Sequence, residues 1–343
     1  MATFSKVELV EFGASVLTAK GLSADDARYI AERAVETEAM GVTTHGLSAM
    51  AAAMNMVPDE VTADTRPEIV KEKGSTILIE ANSGLSQIAM RVAVDKCIEK
   101  ARANGIAHAS IRNARWIGAL SPYVLSLARE GFFAQAWAHS SQCKDCAPIG
   151  GLMAKFSTNP MAVAFPTHAD PVVADMSTAT ISMGKRGQLL KAGENAPDKI
   201  FMDKDGNLSD DPAAFDDGGS ILFTGGAHYG HKGYALSLWC EALTAMAGGY
   251  CNDPEREQRQ SIHLTVIDPE AFEGIDYLRS EMERFITHVK DNKLRPGYDS
   301  IRLPGERAQQ ALRRNEEEGV PVPDAMLERL NGYAEDAGVE KLS

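Results

Sequence analysis

The sequence predicts an α/β fold with helical segments at both ends of the chain. Two observations carry this prediction. Between residues 74 and 290, short apolar runs typical of strands alternate with longer segments in which apolar residues recur at helical spacing. Before residue 74 and after residue 290, the periodic segments are helical. A chain of 343 residues is long enough to bury a large core in this arrangement, as one large domain or two.

Capping signals place two helices at the start of the chain. The first begins after Ser5 and ends at Gly21, and the second begins after Ser23 and ends at Gly41. Each serine is followed three residues later by an acidic residue, which is the pattern of an N-terminal cap. A third helix is predicted around residues 46–57.

Strands and helices alternate through the centre of the chain. We predict strands at residues 75–80, 106–112, 132–139, 162–166, 172–176 and 262–268. We predict helices at residues 84–103, 121–131, 232–247 and 275–290. The segment 184–224 is polar and rich in turns, with a hairpin turn at Asp205-Gly206, and the tail after residue 304 is charged and helical.

Composition and charge limit the classes of partner. The formal net charge of −13 argues against nucleic-acid and anionic-membrane partners, since both need a basic surface. The chain starts with no basic region leading into an apolar run, so we expect no secretory signal. No apolar stretch reaches the roughly 18–20 residues of a membrane span. Five cysteines without a regular spacing are typical of reduced thiols, so we expect a cytoplasmic protein.

The stretch "GGAHYGHKGYALSLW", residues 225–239, has the features of an anion site. Glycines precede a lysine, Lys232, at the start of a predicted helix, where backbone N–H groups and the helix dipole favour a phosphate. It is not a Walker motif, because Gly233 follows the lysine where a Ser or Thr should bind magnesium. A flexible loop with a surface lysine is an equally good interpretation. His228 and His231 have no third ligand at a suitable spacing, so we predict no metal site.

Two further segments invite a functional interpretation. Cys143 and Cys146 form a Cys-x-x-Cys pair, but they follow a strand instead of opening a helix, so ordinary loop thiols are favoured over a redox site. Asp175 ends an apolar strand, where ligands often meet α/β proteins, although plain turn chemistry is the simpler interpretation. The Gly-x-Gly-x-x-Gly turn of Rossmann folds does not occur in the chain.

Seven segments, taken in order, form a set that spans nearly the whole chain. They are "THG" at 44–46, "IRN" at 111–113, "GGLMAKFSTNPMAVAFP" at 150–166, "ADMSTATISMGK" at 174–185, "DKDGNLSDDP" at 203–212, "GHKGYAL" at 230–236 and "LPGE" at 303–306. The set resembles the malate/L-lactate dehydrogenase family, whose nucleotide-binding domain is not a Rossmann fold. Each segment is short, but their order and extent make the resemblance specific.

The resemblance implies the architecture and the cofactor. It implies a homodimer that uses NAD or NADP, with a mostly antiparallel nucleotide-binding sheet. It also implies three parts: a helical part at residues 1–73, an α/β NAD(P)-binding domain at 74–290, and a C-terminal helical part at 291–343 that packs on the first. In the family, the residues that match Ser140, Asp175, Met176, Ser177, His231, Lys232 and the turn Pro304, Gly305 and Glu306 line the cofactor site.

This chain departs from the family pattern on the substrate side. Three residues after the Gly of Ser-His-Gly, the family has an arginine that can hold a substrate carboxylate, and this chain has Ala49. In Arg-Asn-x-x-His-Phe-Gly the family has an acid/base histidine, and this chain has Trp116. The resemblance therefore still implies the fold and the cofactor site, but it does not identify the substrate.

The leading hypothesis is hydride transfer between a nicotinamide and a small 2-oxo or 2-hydroxy acid, or a cyclic imine. The reaction needs a proton donor near neutral pKa, and His45 is the candidate, on a fixed turn where Thr43 or Thr44 could orient its ring. The alternative is a structural histidine that stabilises the end of the preceding helix through the helix dipole. Gly46 would leave room for the substrate or the nicotinamide. Should His45 not act, His139 is the next candidate.

Thr44, Arg115 and Trp116 are the predicted substrate-side residues. Arg115 is either a replacement for the missing arginine or a surface side chain, and both interpretations stay open. A second hypothesis of a different class is a dinucleotide-binding relative that has lost dehydrogenase activity, since two expected substrate-side groups are absent together. We expect no partner beyond a small-molecule substrate and a second copy of the chain.

Overall fold

The computed structural model describes residues 2–253, 255, 257 and 259–343. Its α-helices are α1 (Lys6–Ala19), α2 (Ala24–Ala39), α3 (Leu47–Met56), α4 (Ser86–Asn104), α5 (Ser121–Arg129), α6 (Met183–Ala192), α7 (Gly226–Tyr229), α8 (His231–Met246), α9 (Ile275–Lys290), α10 (Glu306–Glu318) and α11 (Asp324–Ala337). Its strands are β1 (Ala2–Phe4), β2 (Glu68–Lys73), β3 (Thr76–Glu80), β4 (Ile106–Ala114), β5 (Phe133–Ser140), β6 (Met161–Phe165), β7 (Val172–Met176), β8 (Phe201–Met202), β9 (Leu208–Ser209), β10 (Ser220–Ile221), β11 (Gln260–Ile267) and β12 (Val320–Val322). Short 3-10 helices lie at Pro212–Gly218 and Pro269–Ala271.

A seven-stranded sheet forms the centre of the molecule, in the order β2-β3-β4-β11-β5-β6-β7. Strands β3 and β4 run parallel, and the other neighbouring pairs run antiparallel. Helix α4 makes the crossover that the parallel pair needs. The prediction of a mostly antiparallel sheet is therefore confirmed.

The core follows the two-residue period of the central strands. Alternate side chains of β4, β5 and β11 are buried: Ala107, Ala109, Ile111, Ala134, Ala136, Ala138, Ile262, Leu264 and Val266. Because successive strand residues point to opposite faces, this pattern places one apolar face of each strand in the core. The same hydrophobic cluster continues into the N-terminal helices through Leu9 and Ile30.

The two ends of the chain pack against each other. Strand β1 pairs antiparallel with β12, with Ala2 opposite Val322. The Asn315 side-chain amide of α10 donates a 2.8 Å hydrogen bond to the carbonyl oxygen of Ala39 at the end of α2. The contact implied by the family resemblance is present, while the division of the chain at residues 73/74 and 290/291 stays a prediction.

Local signals located the helices well. Ser5 caps α1 in a full capping box with Glu8, and the Ser23 hydroxyl accepts the hydrogen bond from the Asp26 N–H at the start of α2. These caps depend on residues three positions apart, which a sequence displays directly. The Asp205-Gly206 hairpin is also confirmed, since it joins the antiparallel strands β8 and β9.

The segment 184–224 holds a helix that the sequence pattern did not predict. Ser182 caps α6, and its hydroxyl accepts from the Lys185 N–H at 3.1 Å. The buried side chains of α6 are Arg186 and Leu189, so no apolar stripe marks it. Strand β2 was missed for a similar reason, because all six of its residues are exposed.

Helix α8 is apolar, as predicted, but its outer face is exposed. Leu238, Trp239 and Met246 have 45%, 58% and 69% of their surface accessible. In the described part of the chain, no helix combines the length and apolar character that crossing a membrane requires. Exposed apolar faces of this kind commonly mark interaction surfaces.

Candidate active site

The turn between α2 and α3 holds His45 in a fixed position. Buried Glu38 caps the next helix, since its Oε2 accepts a 2.9 Å hydrogen bond from the Leu47 N–H. A Cβ at Gly46 would lie 2.4 Å from that oxygen and 2.7 Å from the Glu38 backbone. Gly46 therefore makes room for Glu38, and the expectation that it makes room for a substrate or nicotinamide is wrong.

The His45 ring has two close neighbours. The Thr44 hydroxyl lies 2.6 Å from His45 Nδ1, whereas Thr43 accepts a 3.1 Å hydrogen bond from the Gln188 side chain. The Trp116 indole is tilted against the imidazole, with ring centroids 5.6 Å apart and an interplanar angle of 51°. Thr44 is thus the threonine that orients the ring, and Trp116 packs where the family has its second histidine.

Charge near His45 comes from Asp175. Its carboxylate accepts hydrogen bonds from the Leu120 and Ser121 N–H groups, at 3.1 and 2.7 Å, at the start of α5. A carboxylate is stabilised there by the helix dipole. Burial lowers the pKa of His45 below its usual 6.5, and the charge of Asp175 offsets part of that effect. His45 is therefore neutral in the folded protein near pH 7.

Two cavities meet at His45. The larger has a volume of about 670 Å³ and the smaller about 200 Å³. The residues that line both are Thr44, His45, Gly118, Thr158, Pro160 and Ser182. Gly118, Thr158, Pro160 and Ser182 were not among the predicted site residues. Thr158 and Pro160 belong to the Thr-Asn-Pro turn at residues 158–160, within the segment 150–166.

Position 49, where the family has an arginine, is buried by protein packing in this chain. Ala49 is 5% exposed on α3. A Cβ at Gly118 would lie 2.9 Å from the Ala49 Cβ and 3.1 Å from the His45 carbonyl oxygen. The loop before α5 therefore packs directly on Ala49, and position 49 offers no cation to a substrate.

Arg115 lines the larger cavity and is held by two partners. Its Nη2 lies 2.9 Å from Glu60 Oε2, and its Nε donates a 3.2 Å hydrogen bond to the Ser83 carbonyl oxygen. Arg259 lines the same cavity and pairs with Glu257 at 2.5 Å. No motif in the sequence pointed to Arg259. Two arginines of the described chain thus line the cavity, each paired with a carboxylate.

Cys143 and Cys146 have different surroundings. Cys143 lines the larger cavity, whereas Cys146 is fully buried. Burial raises the pKa of the Cys146 thiol well above its ordinary value, and the neighbouring charge of Asp145 raises it further. A thiol that stays protonated is a poor nucleophile, which supports an ordinary structural role for Cys146.

His139 is engaged within the protein on both sides of its ring. Nδ1 lies 3.0 Å from Asn159 Oδ1 and 3.2 Å from Glu241 Oε1, and Nε2 lies 3.0 Å from the Tyr250 carbonyl oxygen. A carbonyl oxygen can only accept, so Nε2 carries a proton. His139 is buried, and it ties β5 to the Thr-Asn-Pro turn. It is therefore a weak candidate for proton exchange with a substrate.

Edge strand β7 connects two groups of predicted cofactor residues. Residues 175–177, at its C-terminal end, line the smaller cavity beside His45. Val172, at its other end, lines a third cavity of about 200 Å³ together with Pro304 and Glu306. Strand residues rise about 3.3 Å each, so the two cavities lie roughly 10 Å apart along one sheet edge.

The turn at residues 303–306 is fitted closely to β7. Gly305 has a φ of +85°, and a Cβ there would lie 2.5 Å from Val173 Cγ1. Glycine is required at such a conformation and approach. In the third cavity, buried Gln309 Nε2 has no hydrogen-bond partner among the described residues. An orphaned buried donor of this kind fits a cavity built to receive a polar ligand.

The remaining predicted cofactor residues are more dispersed. Ser140 lines the larger cavity, and its hydroxyl accepts a 2.7 Å hydrogen bond from the Gln260 side chain. His231 and Lys232, at the start of α8, are exposed and line none of these three cavities. The Lys232 ammonium lies 5.4 Å from the centre of the Tyr229 ring. The structure thus gathers most of the predicted set but leaves these two apart.

The arrangement of potential metal ligands is a further feature of the structure. Across residues 2–253, 255, 257 and 259–343, no three His, Cys, Asp or Glu side chains are grouped so that they could hold a metal ion.

Known proteins resemble this chain along its whole length. The sequence profile of the malate/L-lactate dehydrogenase family matches residues 4–331. A (2R)-3-sulfolactate dehydrogenase (NADP(+)) of Chromohalobacter salexigens is 31% identical over 331 residues, covering 93% of this chain and 94% of the relative. A Delta(1)-pyrroline-2-carboxylate/Delta(1)-piperideine-2-carboxylate reductase of Pseudomonas putida is 30% identical over 334 residues, covering 94% of each chain.

The fold is shared as well. The solved structure of malate dehydrogenase from Pyrococcus horikoshii OT3 matches with a TM-score of 0.89 and 27% identity, covering 99% of this chain and 97% of that one. Three findings agree: the family profile matches nearly every residue, the relatives match over nearly their full length, and the fold is the same. The chain belongs to the malate/L-lactate dehydrogenase family.

Proposed function

We propose that this protein is an NAD(P)-dependent oxidoreductase that transfers a hydride between the nicotinamide and a small 2-oxo or 2-hydroxy acid, or a cyclic imine. The observation that carries the proposal is the position of His45, at the junction of two cavities, with its ring oriented by Thr44. The names of the relatives support the substrate range, because they include a dehydrogenase of a hydroxy acid and a reductase of cyclic imines.

The cofactor is proposed to lie along β7, from the smaller cavity to the third one. The residues that would hold it are Asp175, Met176, Ser177, Pro304, Gly305 and Glu306, with Ser140, His231 and Lys232 as further contacts. The orphaned amide of Gln309 supports this placement, since a polar ligand there would give it a partner. When bound, the nicotinamide supplies or accepts the hydride.

His45 is proposed to exchange the proton. A carbonyl or imine that receives a hydride also needs a proton, and the reverse reaction needs a base. Burial keeps the His45 imidazole neutral near pH 7, so it can accept a proton from a hydroxyl group without first losing one. Asp175 lies close enough to stabilise the imidazolium that forms.

The substrate is proposed to bind in the larger cavity. Arg115 is assigned to the substrate carboxylate, because it lines this cavity while position 49 holds a buried alanine. Its pairing with half-exposed Glu60 is a surface ion pair, which is weak enough to exchange for a ligand. Thr44 and Trp116 form the wall next to His45.

We further propose that the protein is a cytoplasmic homodimer. The exposed apolar face of α8, with Leu238, Trp239 and Met246, supports self-association, because such a face gains stability when it is covered. The cytoplasmic assignment is supported by five cysteines without a disulfide-type spacing. Sedimentation velocity of the wild type against Trp239→Asp tests the dimer.

Cofactor titration tests the central proposal. NADH and NADPH are added separately while the fluorescence of Trp116, Trp137 and Trp239 is followed, and Trp116 stands 5.6 Å from the His45 ring. We expect saturable quenching by at least one cofactor, followed by turnover with a member of a panel of 2-oxo acids and cyclic imines. No response to either cofactor would overturn the proposal. Tight binding without any turnover would favour a relative that has lost dehydrogenase activity.

A further inference from the structure

Asp145 is a buried carboxyl group on the wall of the larger cavity. The residue is 8% exposed and lines the same cavity as His45. Its backbone is fixed on both sides, since its N–H donates to the Phe156 carbonyl oxygen at 2.8 Å and its carbonyl oxygen accepts from the Ile221 N–H at 2.7 Å. The carboxylate is therefore held in place by the fold.

The carboxylate has no side-chain partner within the described residues: no hydrogen bond or ion pair from another side chain reaches it. Burial raises the pKa of Asp145 to about 6, and a hydrogen bond from the Thr158 backbone N–H lowers it in part. The group is thus mostly ionised at neutral pH. A buried charge without a counter-charge is unfavourable, and proteins retain such groups where a ligand completes them.

The other charges on the cavity wall are already balanced. Arg115 pairs with Glu60 and Arg259 pairs with Glu257, whereas no cation of the described part of the chain pairs with Asp145. Among the described residues that line the cavity, the charge without a counter-charge is therefore negative. A substrate that carried only anionic groups would meet repulsion there.

We infer that Asp145 recognises a positively charged nitrogen of the substrate, as an ammonium or iminium group. The inference rests on the proposed function and narrows its substrate class to compounds that carry such a nitrogen beside the carboxylate. An N⁺–H donor would form a charge-assisted hydrogen bond with the carboxylate, and these bonds are stronger than neutral ones. Asp145 would thereby favour the binding of nitrogen-containing acids over simple 2-hydroxy acids.

Matched ligand pairs test the inference by binding, without any need for turnover. Each pair has the same ring and carboxylate but differs in one ring atom: DL-proline against cyclopentanecarboxylate, and DL-pipecolate against cyclohexanecarboxylate. Affinities are measured by calorimetry on the protein saturated with reduced cofactor. We expect the nitrogen-containing member of at least one pair to bind at least about tenfold more tightly, the scale of a hydrogen bond to a charged group.

Asp145→Asn is the matching variant, because its amide oxygen can still accept from the Thr158 N–H while the charge is removed. We expect the difference within the pair to fall to less than about twofold, because the nitrogen-containing acid loses its charge-assisted hydrogen bond and the carbocyclic acid no longer meets the negative charge. Asp205→Asn removes the same charge from an exposed turn and should leave the difference intact.

Three outcomes would overturn the inference. They are equal affinities within both pairs in the wild type, no binding of any member, or a difference that persists in Asp145→Asn. The wild-type comparison stands even if the variant does not fold. Failure of the proposed function is seen separately, as loss of the cofactor response itself, so a protein that binds cofactor but prefers carbocyclic acids refutes the role of Asp145 alone.

Discussion

The Thr44 hydroxyl oxygen and His45 Nδ1 lie 2.6 Å apart, so the residue before the histidine holds its ring. The contact engages Nδ1 and leaves Nε2 as the nitrogen that can exchange a proton with a substrate. When Nδ1 carries the proton of the neutral ring and donates it to the Thr44 hydroxyl oxygen, the lone pair of Nε2 is free to accept a proton from the substrate. The order of two adjacent residues in the sequence thus sets which ring nitrogen serves the site.

Replacing His45 by Asn should lower kcat by roughly 100-fold or more, because acid/base catalysis contributes on that scale. NAD(P)H affinity should be preserved. The measurement is steady-state turnover of the best substrate together with cofactor titration. A variant that keeps full activity would assign proton transfer to another group, whereas a loss of about 1 kcal/mol in stability with turnover intact would make His45 a structural residue.

Thr44→Val should lower kcat by about tenfold, since it keeps the volume of the side chain but removes the hydrogen bond that orients His45. Thr44→Ser, which retains a hydroxyl, is the matched control and should stay within about twofold of the wild type. Turnover at saturating substrate is the readout. Equal losses in both variants would mean that the methyl group of Thr44 matters instead of the hydrogen bond.

The rate of the oxidative reaction should depend on pH through His45. Burial lowers its pKa below 6.5, and the base must be neutral, so kcat/KM should be constant above pH 6.5 and should fall as the pH drops below it. His45→Asn should abolish that inflection in its residual activity. An inflection that survives in the variant would belong to another group.

Lys232→Ala should weaken NAD(P)H binding by about 1–3 kcal/mol, the range of a hydrogen bond to a charged group, and should leave folding intact. The exposed position of Lys232 at the start of α8 is suited to a phosphate, since a helix N-terminus also attracts anions. Lys199→Ala, at another exposed lysine, is the control. Unchanged cofactor affinity in a folded Lys232 variant would remove this residue from the site.

Asp145→Asn should make the protein more stable at pH 8 while it weakens ligand binding. The folded pKa of about 6 exceeds the ordinary 3.8, so the native state binds the proton more tightly and loses stability as the pH rises from about 4 to 6. Removing the charge should raise the free energy of unfolding by up to about 3 kcal/mol above about pH 6. It should leave that free energy unchanged below about pH 4. Denaturant unfolding at pH 8 and pH 4 measures the difference. A variant that is less stable at pH 8 would show that the carboxylate is needed by the fold.

Features that depend on near neighbours in the chain could be predicted from the amino-acid order. The caps at Ser5 and Ser23, the bounds of α9 and the Asp205-Gly206 hairpin all follow from residues a few positions apart. The order of short motifs along the chain gave the family, and with it the mostly antiparallel sheet, which no periodicity would have shown. His45 was singled out in the same way, from the turn that carries it.

The surroundings of those residues depend on contacts between segments that are far apart in the chain. Glu38 occupies the space beside Gly46, and Gly118, from a loop distant in sequence, packs on Ala49. Asp145 was passed over within the Cys-x-x-Cys segment, because its burial comes from packing that the local sequence does not display. Cavities and pKa shifts arise where segments far apart in the chain enclose a group and exclude water, so they depend on the complete fold.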